Sequence, residues 1–541
     1  MSSAPPLQAG ASDDAPAETP KRRSCFQLIA VLTGLYLSLF LVALDQSIVA
    51  TAVPVIVSDL ASSSGYVWIG SAYLLATAAA GPVWTNLSDI WGRKLIILAA
   101  VALFFVGSLI CALAINMPML IAGRALQGVA GGGLVQMVHV TISDMFSVRS
   151  RSLYLGLLEL MWAVAGGVGP VIGGAFTQLV SWRWCFWINL PLSFFTFMAL
   201  LIFLDVHNPK TSALEGFRAV DWGGIVSILS FTCMLLIGLQ LGGTSFPWKS
   251  PLVICLIIAG IVMLVFFVLS EERARYPLIP LDLLKNVSNL ASLLVVFFHG
   301  MVYIAQEYYL PLYFQSALSE SPFRSGLLVL PVSLTEALAG IVCGIIIHRT
   351  GKYLEITYVG CVIMTVGAGL YITFSKSTTI AKIIGIEIVG GIGAGCLFEP
   401  PLIALQAFTS QEKTAAVTST FGFVRPFAQS LSLVLGLVIF QNSMSLQIPG
   451  LEAAGIPSSV TSLLSDGEAA ANVMIVSALP DARDRGVVAD AFVWSLRNMW
   501  IMYTCFSAMA GVASVFIGKK KLSKEHVETI TGLREKDVVA N

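Results

Sequence analysis

Fourteen stretches of predominantly apolar residues, each about twenty long, punctuate this 541-residue chain, and about twenty residues of helix is what a bilayer's hydrocarbon core demands. They lie near 28–53, 66–86, 95–115, 119–140, 153–177, 184–204, 222–241, 251–270, 289–314, 326–347, 355–374, 380–402, 418–440 and 497–518. Inside hydrocarbon a backbone must satisfy its own hydrogen bonds, so each run is expected as a helix. With 56% hydrophobic residues, only 11% charged and a mean hydropathy of +0.84, the chain is excluded from the ordinary soluble classes. A net charge of zero offers no basic surface for nucleic acid.

The first run, Phe26 to Val53, is too long for a signal-peptide core and reads as a signal anchor. An even number of crossings puts both termini on one side. Of the lysines and arginines, 21 fall on the side of the termini and eight on the other, so the termini are expected in the cytosol. The longest loop, 441–496, then lies outside it and has no cysteine. The sequons at Asn86 and Asn286 fall at cytosolic span ends, so no N-glycan is expected. The nine cysteines show no CxxC or metal-type spacing and read as small core hydrophobes.

Arg124 sits inside the run Leu120 to Gly133, LIAGRALQGVAGGG. A charge in hydrocarbon costs at least ~2.5 kcal/mol, so it should face a protein interior and a partner. Gly123, Gly128, Gly131, Gly132 and Gly133 let neighbouring helices pack closely around it. Asp45, nine residues before Pro54, lies roughly 13 Å below the outer end of its span, and Arg124, six after Pro118, roughly 9 Å below the end of its own. Sharing a depth, they can pair. An acid held this way can load and unload a proton as its surroundings change; a static structural pair is the alternative.

Other polar residues in spans are Gln127, Glu159, Glu307, Glu336, Glu387, Glu399 and Arg425. Gln127, Glu159, Glu307 and Glu336 are candidate proton or substrate contacts. Glu399, beside Pro400 and Pro401, reads as a water-exposed helix end. Arg425 suits either an anionic substrate or an acid partner. His139 and His299 read as hydrogen-bonded core residues. Gly166, Gly167, Gly169, Gly173 and Gly174 around Pro170 form a small-residue face suited to a hinge or seal. Aromatics such as Trp162, Phe298, Tyr303, Tyr308, Tyr313 and Phe421 suit amphiphilic organic ligands. No GxxxxGK[ST] loop, paired metal ligands or nucleophile constellation occurs, so ATP use, a metal, a cofactor and an enzymatic role are not expected.

The turns Asp89-Ile90-Trp91-Gly92-Arg93-Lys94 and His348-Arg349-Thr350-Gly351-Lys352-Tyr353 are both short, basic and centred on glycine, and each sits two spans into a block of six. Such internal symmetry is how many secondary transporters are built. The expected organisation is a disordered tail (1–24), a six-helix bundle (25–205), two inserted helices with cytosolic flanks (206–288), a second six-helix bundle with the 441–496 loop (289–518) and a tail (519–541).

Several of these segments resemble the major facilitator superfamily. Asp89 to Lys94 is similar to its signature loop, although Thr85 stands where glycine usually opens it. Leu120 to Gly128 resembles its helix-4 motif through Arg124, Gln127 and Gly128, and Gly169-Pro170-Val171-Ile172-Gly173-Gly174 its antiporter helix-5 motif, with Ala165 in place of a glycine. Leu44 to Pro54, Trp182 to Pro191 and Tyr308 to Gln315 resemble fourteen-span drug:proton antiporters, especially fungal ones. The resemblance implies an all-α polytopic membrane protein of two six-helix bundles plus two inserted helices. It also implies proton coupling through Asp45 and Arg124, and a cytosolic gate at Asp89, Gly92 and Arg93. The expected activity is export of small hydrophobic or amphiphilic compounds, such as drugs, toxins or fungal metabolites, by a monomer in the plasma membrane. A vacuolar importer of basic amino acids and a non-transporting sensor are the alternatives.

Overall fold

The computed structural model describes residues 25–522 except 51, 61–64, 207–208, 210, 243–245, 275–276, 411–412, 466–468, 471 and 474; the tails 1–24 and 523–541 lie outside the described residues. Fourteen long helices carry the fold: α1 (Cys25–Ala50), α2 (Gly65–Trp91), α3 (Arg93–Ala112), α4 (Met117–Met145), α5 (Leu158–Leu179), α6 (Asn189–Phe203), α7 (Trp222–Leu241), α8 (Pro251–Arg273), α9 (Val287–Ser316), α10 (Pro322–Thr350), α11 (Tyr353–Tyr371), α12 (Ile380–Gly395), α13 (Thr414–Ala453) and α14 (Ala482–Ser514). Short helices join several of them, among them Val148–Gly156 leading into α5 and Pro400–Ala407 after α12. No sheet forms among the described residues.

Helix ends sit where the sequence supplies caps. Asn116 Oδ1 accepts from Met119 N at 2.9 Å to start α4, Asp221 Oδ1 from Gly224 N at 2.8 Å to start α7, and Asn286 from Ser288 N at 2.9 Å to start α9. The side chain of Asn286, in one sequon, is thus occupied as a cap.

Twelve helical segments among the described residues are long and apolar enough to cross a membrane. α2 and α14, expected as the second and fourteenth spans, are not among the twelve. α14 opens with Arg483, Asp484 and Arg485 and carries Asp490 and Arg497, which dilute its apolarity. Both helices nonetheless run lengthwise through the bundle, α2 against α4 and α14 against α9 and α11.

The packing repeats itself. In the first half α1 packs on α5 and α6, α2 and α3 on α4, and α3 on α6. In the second half α9 packs on α13 and α14, α10 and α11 on α12, and α11 on α14. Each pairing recurs with its helix numbers raised by eight. α7 and α8 pack chiefly on each other, and α7 also touches α2 and α13. The α2–α4 contact is close enough that a Cβ on Gly132 would meet the Thr77 carbonyl oxygen at 2.5 Å.

Three expectations change on contact with the structure. The 441–496 loop is largely helical: α13 runs 40 residues to Ala453, Ser458–Leu464 and Ile475–Ala478 follow, and α14 begins at Ala482. Its apolar Leu451, Ile456, Val460, Leu464, Val476 and Leu479 are buried against the second half, which orders it. Glu399 is not a water-exposed helix end but 1% exposed, because the twelfth span breaks at Cys396–Glu399 inside the bundle and restarts at Pro400. Cys255 and Cys505 are exposed on the helix surface rather than in the core, where Cys111, Cys185, Cys343, Cys361 and Cys396 lie.

The hydrogen bonds that join the two halves gather at the end bearing the basic turns. Arg149 Nε donates to the His348 carbonyl at 2.7 Å and Nη2 to that of Arg349; Arg151 Nη1 donates to Gln406 Oε1 at 2.8 Å; Ser152 Oγ donates to the Gly344 carbonyl at 3.3 Å. Gln406 Nε2 donates to Ser143 Oγ at 3.0 Å, and Gln136 Nε2 to the Ser419 carbonyl at 3.3 Å. Among the described residues, the side-chain hydrogen bonds at the opposite end stay within one half. There Trp182 Nε1 donates to Asp59 Oδ2 at 2.9 Å, and Arg183 pairs with the same oxygen at 3.3 Å. The indole donor holds the Asp59 carboxyl below its usual range, so this contact is intact at neutral pH and lost as pH falls through that depressed value.

Both basic turns depend on glycine backbone. Gly92 has φ 91° and ψ 153°, a region essentially closed to other residues, while Gly351 has φ 75° and ψ 9°, the left-handed region. Gly351→Ala should cost about 1–2 kcal/mol and Gly92→Ala about 1–3 kcal/mol. Thermal unfolding of the detergent-purified protein should therefore show the larger drop in midpoint for Gly92→Ala; an unchanged midpoint in both would contradict the assigned turns.

Candidate functional site

α4 is packed on two sides because its glycines admit α2 and α3, and this encloses Arg124, which is 2% exposed. Its Nη1 lies 2.5 Å from Asp45 Oδ2, and Asp45 is fully buried. Gln127, one turn along α4, ties the pair together: its Oε1 accepts from Arg124 Nη1 at 2.9 Å, and its Nε2 donates to Asp45 Oδ1 at 3.0 Å and Ser108 Oγ at 2.8 Å. Asn189 Nδ2 on α6 donates to the same Asp45 Oδ1 at 2.7 Å. Arg124 Nε donates to the Ile69 carbonyl at 3.1 Å, and its guanidinium lies 4.4 Å from the centre of the Tyr73 ring.

Five helices, α1, α2, α3, α4 and α6, thus contribute to the network around one ion pair. Both Asp45 oxygens are occupied and the arginine charge is matched, which is what a buried pair needs. Removing either partner would leave an uncompensated buried charge, at about 3–5 kcal/mol. The shared depth expected of Asp45 and Arg124 agrees with their contact, Gln127 of the same helix-4 segment joins them, and Asn189 and Tyr73 were not foreseen. The signal for Asn189 was present: an amide in an otherwise apolar span, directly before Leu190 and Pro191.

Arg93 forms a second buried cluster at the basic end, with Asp89 Oδ1 at 2.5 Å, Asp144 Oδ2 at 2.8 Å and Ser88 Oγ at 2.5 Å. Asp144 on α4 was not foreseen. This cluster lies within the first half, joining α2, α3 and α4 at the glycine turn; the bonds between halves come from Arg149, Arg151, Ser152 and Gln136 instead. Thr85, the departure from the usual loop pattern, is fully buried, with its hydroxyl turned back to the Gly81 carbonyl at 3.5 Å.

On α5 the small-residue face divides. A Cβ on Gly169 would run into Ser47 on α1, whereas Gly166, Gly167 and Gly174 face open space, and Gly173 is buried. The side chain of Pro170 lies outside the described residues. Close approach to α10 occurs nearer the basic end, where a Cβ on Gly156 would sit 3.0 Å from the Gly340 carbonyl oxygen and one on Gly344 would meet the Ser152 carbonyl at 2.5 Å.

The remaining candidates face the second half. Glu159, 8% exposed, lies against Gly340 on α10. Glu307 Oε1 accepts from Ser333 Oγ at 2.8 Å. Arg425 Nη2 donates to the Phe398 carbonyl at 2.5 Å, and its guanidinium is 5.1 Å from the centre of the Phe398 ring and 4.4 Å from that of Phe421. Glu159 and Glu399 are within its electrostatic reach without an ion-pair contact among the described residues. His139 Nδ1 meets the Val135 carbonyl at 2.8 Å and His299 Nε2 that of Ala394 at 3.0 Å, as core histidines do. Of the aromatics, Tyr313 and Phe421 are buried and Phe298 and Tyr303 half-buried in the second half, Trp162 is half-buried on α5 against Ala43, Leu44 and Ala165 of the first half, and Tyr308 is exposed.

A profile of the Major Facilitator Superfamily matches residues 35–239 and 218–433. The chain is 44% identical to a protein named efflux pump dotC from Dothistroma septosporum, over 96% of this chain and 89% of that one. It is 41% identical to the MFS-type transporter ppz2 of Metarhizium majus (96% and 90% covered) and 34% identical to efflux pump FUS6 of Gibberella moniliformis (97% and 93%). Among solved structures, the human organic anion transporter MFSD10 superposes with a TM-score of 0.56 at 14% identity, over 88% of this chain and 99% of that one. The proton:xylose symporter XylE does so with a TM-score of 0.58 at 12% identity, over 92% and 97%. With both halves matched by the profile and relatives aligned over nearly their whole length, the chain belongs to the major facilitator superfamily, in its fungal efflux type, and is a membrane transporter rather than an enzyme.

Proposed function

We propose that this protein is a proton-coupled antiporter that exports small hydrophobic or amphiphilic compounds by alternating access. The observation that carries the reading is the Asp45 carboxylate, held by Arg124, Gln127 and Asn189 within a span. An ionised carboxylate accepts four hydrogen bonds; a protonated one gives up acceptor capacity and its attraction to Arg124. Protonation therefore loosens α1 from α4 and α6, and the same contacts re-form on deprotonation. This supplies a two-state element that a proton biases.

The excess of positive charge supports a reading in which the basic end, and with it both termini, faces the cytosol. The cross-half bonds at that end then hold an outward-facing state, with the Asp45 site on the open side of the seal. α2 and α14 complete a fourteen-span topology despite their polar ends. The names of the fungal relatives favour export, and the aromatic surfaces of α9 and α13 suit amphiphilic organic molecules. The plasma membrane and a monomeric state are part of the same reading.

The first test is accumulation of a lipophilic dye, rhodamine 6G, in a pump-deficient host, with wild type compared at equal surface expression with Asp45→Asn and Arg124→Ala. Wild type should lower accumulation, and a protonophore or either substitution should abolish the effect. Unchanged export in both variants would remove the pair from the coupling mechanism. A second test addresses the seal. Leucine at Gly156 or Gly344 would overpack the contact between the Val148–Gly156 helix and α10 by about 1–3 kcal/mol. Export should fall while the purified protein still elutes as wild type on gel filtration; full export from both variants would contradict a seal at this contact.

A further inference from the structure

Arg124 and Arg425 both sit inside long helices, and only the first meets an acid. Arg124 has the Asp45 carboxylate, Gln127 and the Ile69 carbonyl around its guanidinium. Arg425 makes no ion pair among the described residues, and a single nitrogen, Nη2, finds an acceptor there, the Phe398 carbonyl. The side chain is half-buried, and its Nε is enclosed with no hydrogen-bond partner. A guanidinium carries five N–H donors and a permanent charge, so most of the donors are left open and no carboxylate touches the charge. A cation inside a span is costly to leave unanswered and marks a ligand path.

The fold holds this side chain in place rather than leaving it loose. The break of the twelfth span at Cys396–Glu399 makes the Phe398 carbonyl available, and Nη2 is anchored on it. The guanidinium carbon lies 4.4 Å from the centre of the Phe421 ring and 5.1 Å from that of Phe398. Phe398 is in turn set edge to face with His299 and Tyr303, at 4.9 and 5.0 Å between ring centres. An arginine anchored at one nitrogen and flanked by rings presents a planar fork, the shape that matches an acid.

Arg425 also stands at the boundary between the halves. One turn toward the basic end of α13, a Cβ on Gly422 would overlap the Gln136 side chain of α4, and Gln136 Nε2 donates to the Ser419 carbonyl at 3.3 Å. The arginine is three residues beyond Gly422, about 4.5 Å further from the basic end. The neighbouring acids do not fill the position: Glu399 has neither carboxyl oxygen hydrogen-bonded, and the Glu159 side chain lies against Gly340 on α10.

We propose that Arg425, with the Phe398 and Phe421 rings, is an anion-binding subsite of the transport path, and that the exported compounds carry an acidic group, a carboxylate or an ionised phenol, on an apolar frame. The acid supplies the counterion that the protein withholds, and the rings cover the frame beside it. The same open cation repels basic amino acids. This subsite deepens the export reading and rests on it for its place in transport, while binding at Arg425 requires neither a gradient nor proton coupling.

Equilibrium binding to the full-length protein in lipid nanodiscs tests this with 1-pyrenebutyrate and its uncharged amide, 1-pyrenebutyramide, which share one aromatic frame. Energy transfer from tryptophan to pyrene is the readout, corrected with empty nanodiscs. Wild type should bind the acid about tenfold or more tighter than the amide, the difference that a hydrogen bond to a charged group makes. Arg425→Gln should bring the acid down to the affinity of the amide and leave the amide unchanged. Arg425→Lys keeps the charge without the planar fork, should show a reduced preference for the acid, and serves if the glutamine variant fails to fold. Equal binding of acid and amide by wild type overturns the proposal, as does a preference undiminished in either variant. The expected preference together with no dye export from cells would refute the antiport reading and leave the subsite standing.

Discussion

A single ion pair in hydrocarbon sets the terms for the rest of this molecule. Desolvating Asp45 and Arg124 is tolerable only because Gln127, Asn189 and a backbone carbonyl complete their hydrogen bonds. Those partners lie on α4, α6 and α2, and with Asp45 on α1 and Ser108 on α3 the network draws on five helices. To bring them to one point, α4 must have almost no side-chain bulk where α2 crosses it, which is what Gly128, Gly131 and Gly132 provide. The packing of the first half is thus the shell that a buried charge requires.

The second half uses the same pattern of helix contacts without the same pair. Where the first half matches one acid with one arginine, the second collects Glu307, Glu336 and Glu387 with Arg425 off to one side, turned onto Phe398 and Phe421. Between them the contacts are small-residue and backbone-rich at the basic end, through Ser152, Gly156, Gly340 and Gly344. Over these close backbone contacts a set of side-chain hydrogen bonds from Arg149, Arg151 and Gln136 joins the halves, contacts that a two-state rocking motion would break and remake.

Much of this was legible in the sequence. Long apolar runs gave the helices, and the depth arithmetic from Pro54 and Pro118 placed Asp45 opposite Arg124. The two glycine turns signalled the repeat, and both glycines do adopt positive φ. What escaped has identifiable causes. Asn189, Tyr73 and Asp144 are neutral or helix-end residues whose importance comes from a partner far away in sequence. The buried position of Glu399 follows from a helix break that Pro400 and Pro401 marked, but which read as an end rather than an interruption. The order in 441–496 comes from scattered apolar residues without a long run, so only their contacts with the bundle reveal it.

Lumenal pH in inverted vesicles tests the central claim most directly. With the cytosolic face outward, adding a transported dye should drive it inward and protons outward, so the lumen of acid-loaded vesicles should become more alkaline with wild type and not with Asp45→Asn. Dye accumulation with no change in lumenal pH, or the same change in both proteins, would contradict proton exchange through the Asp45–Arg124 pair.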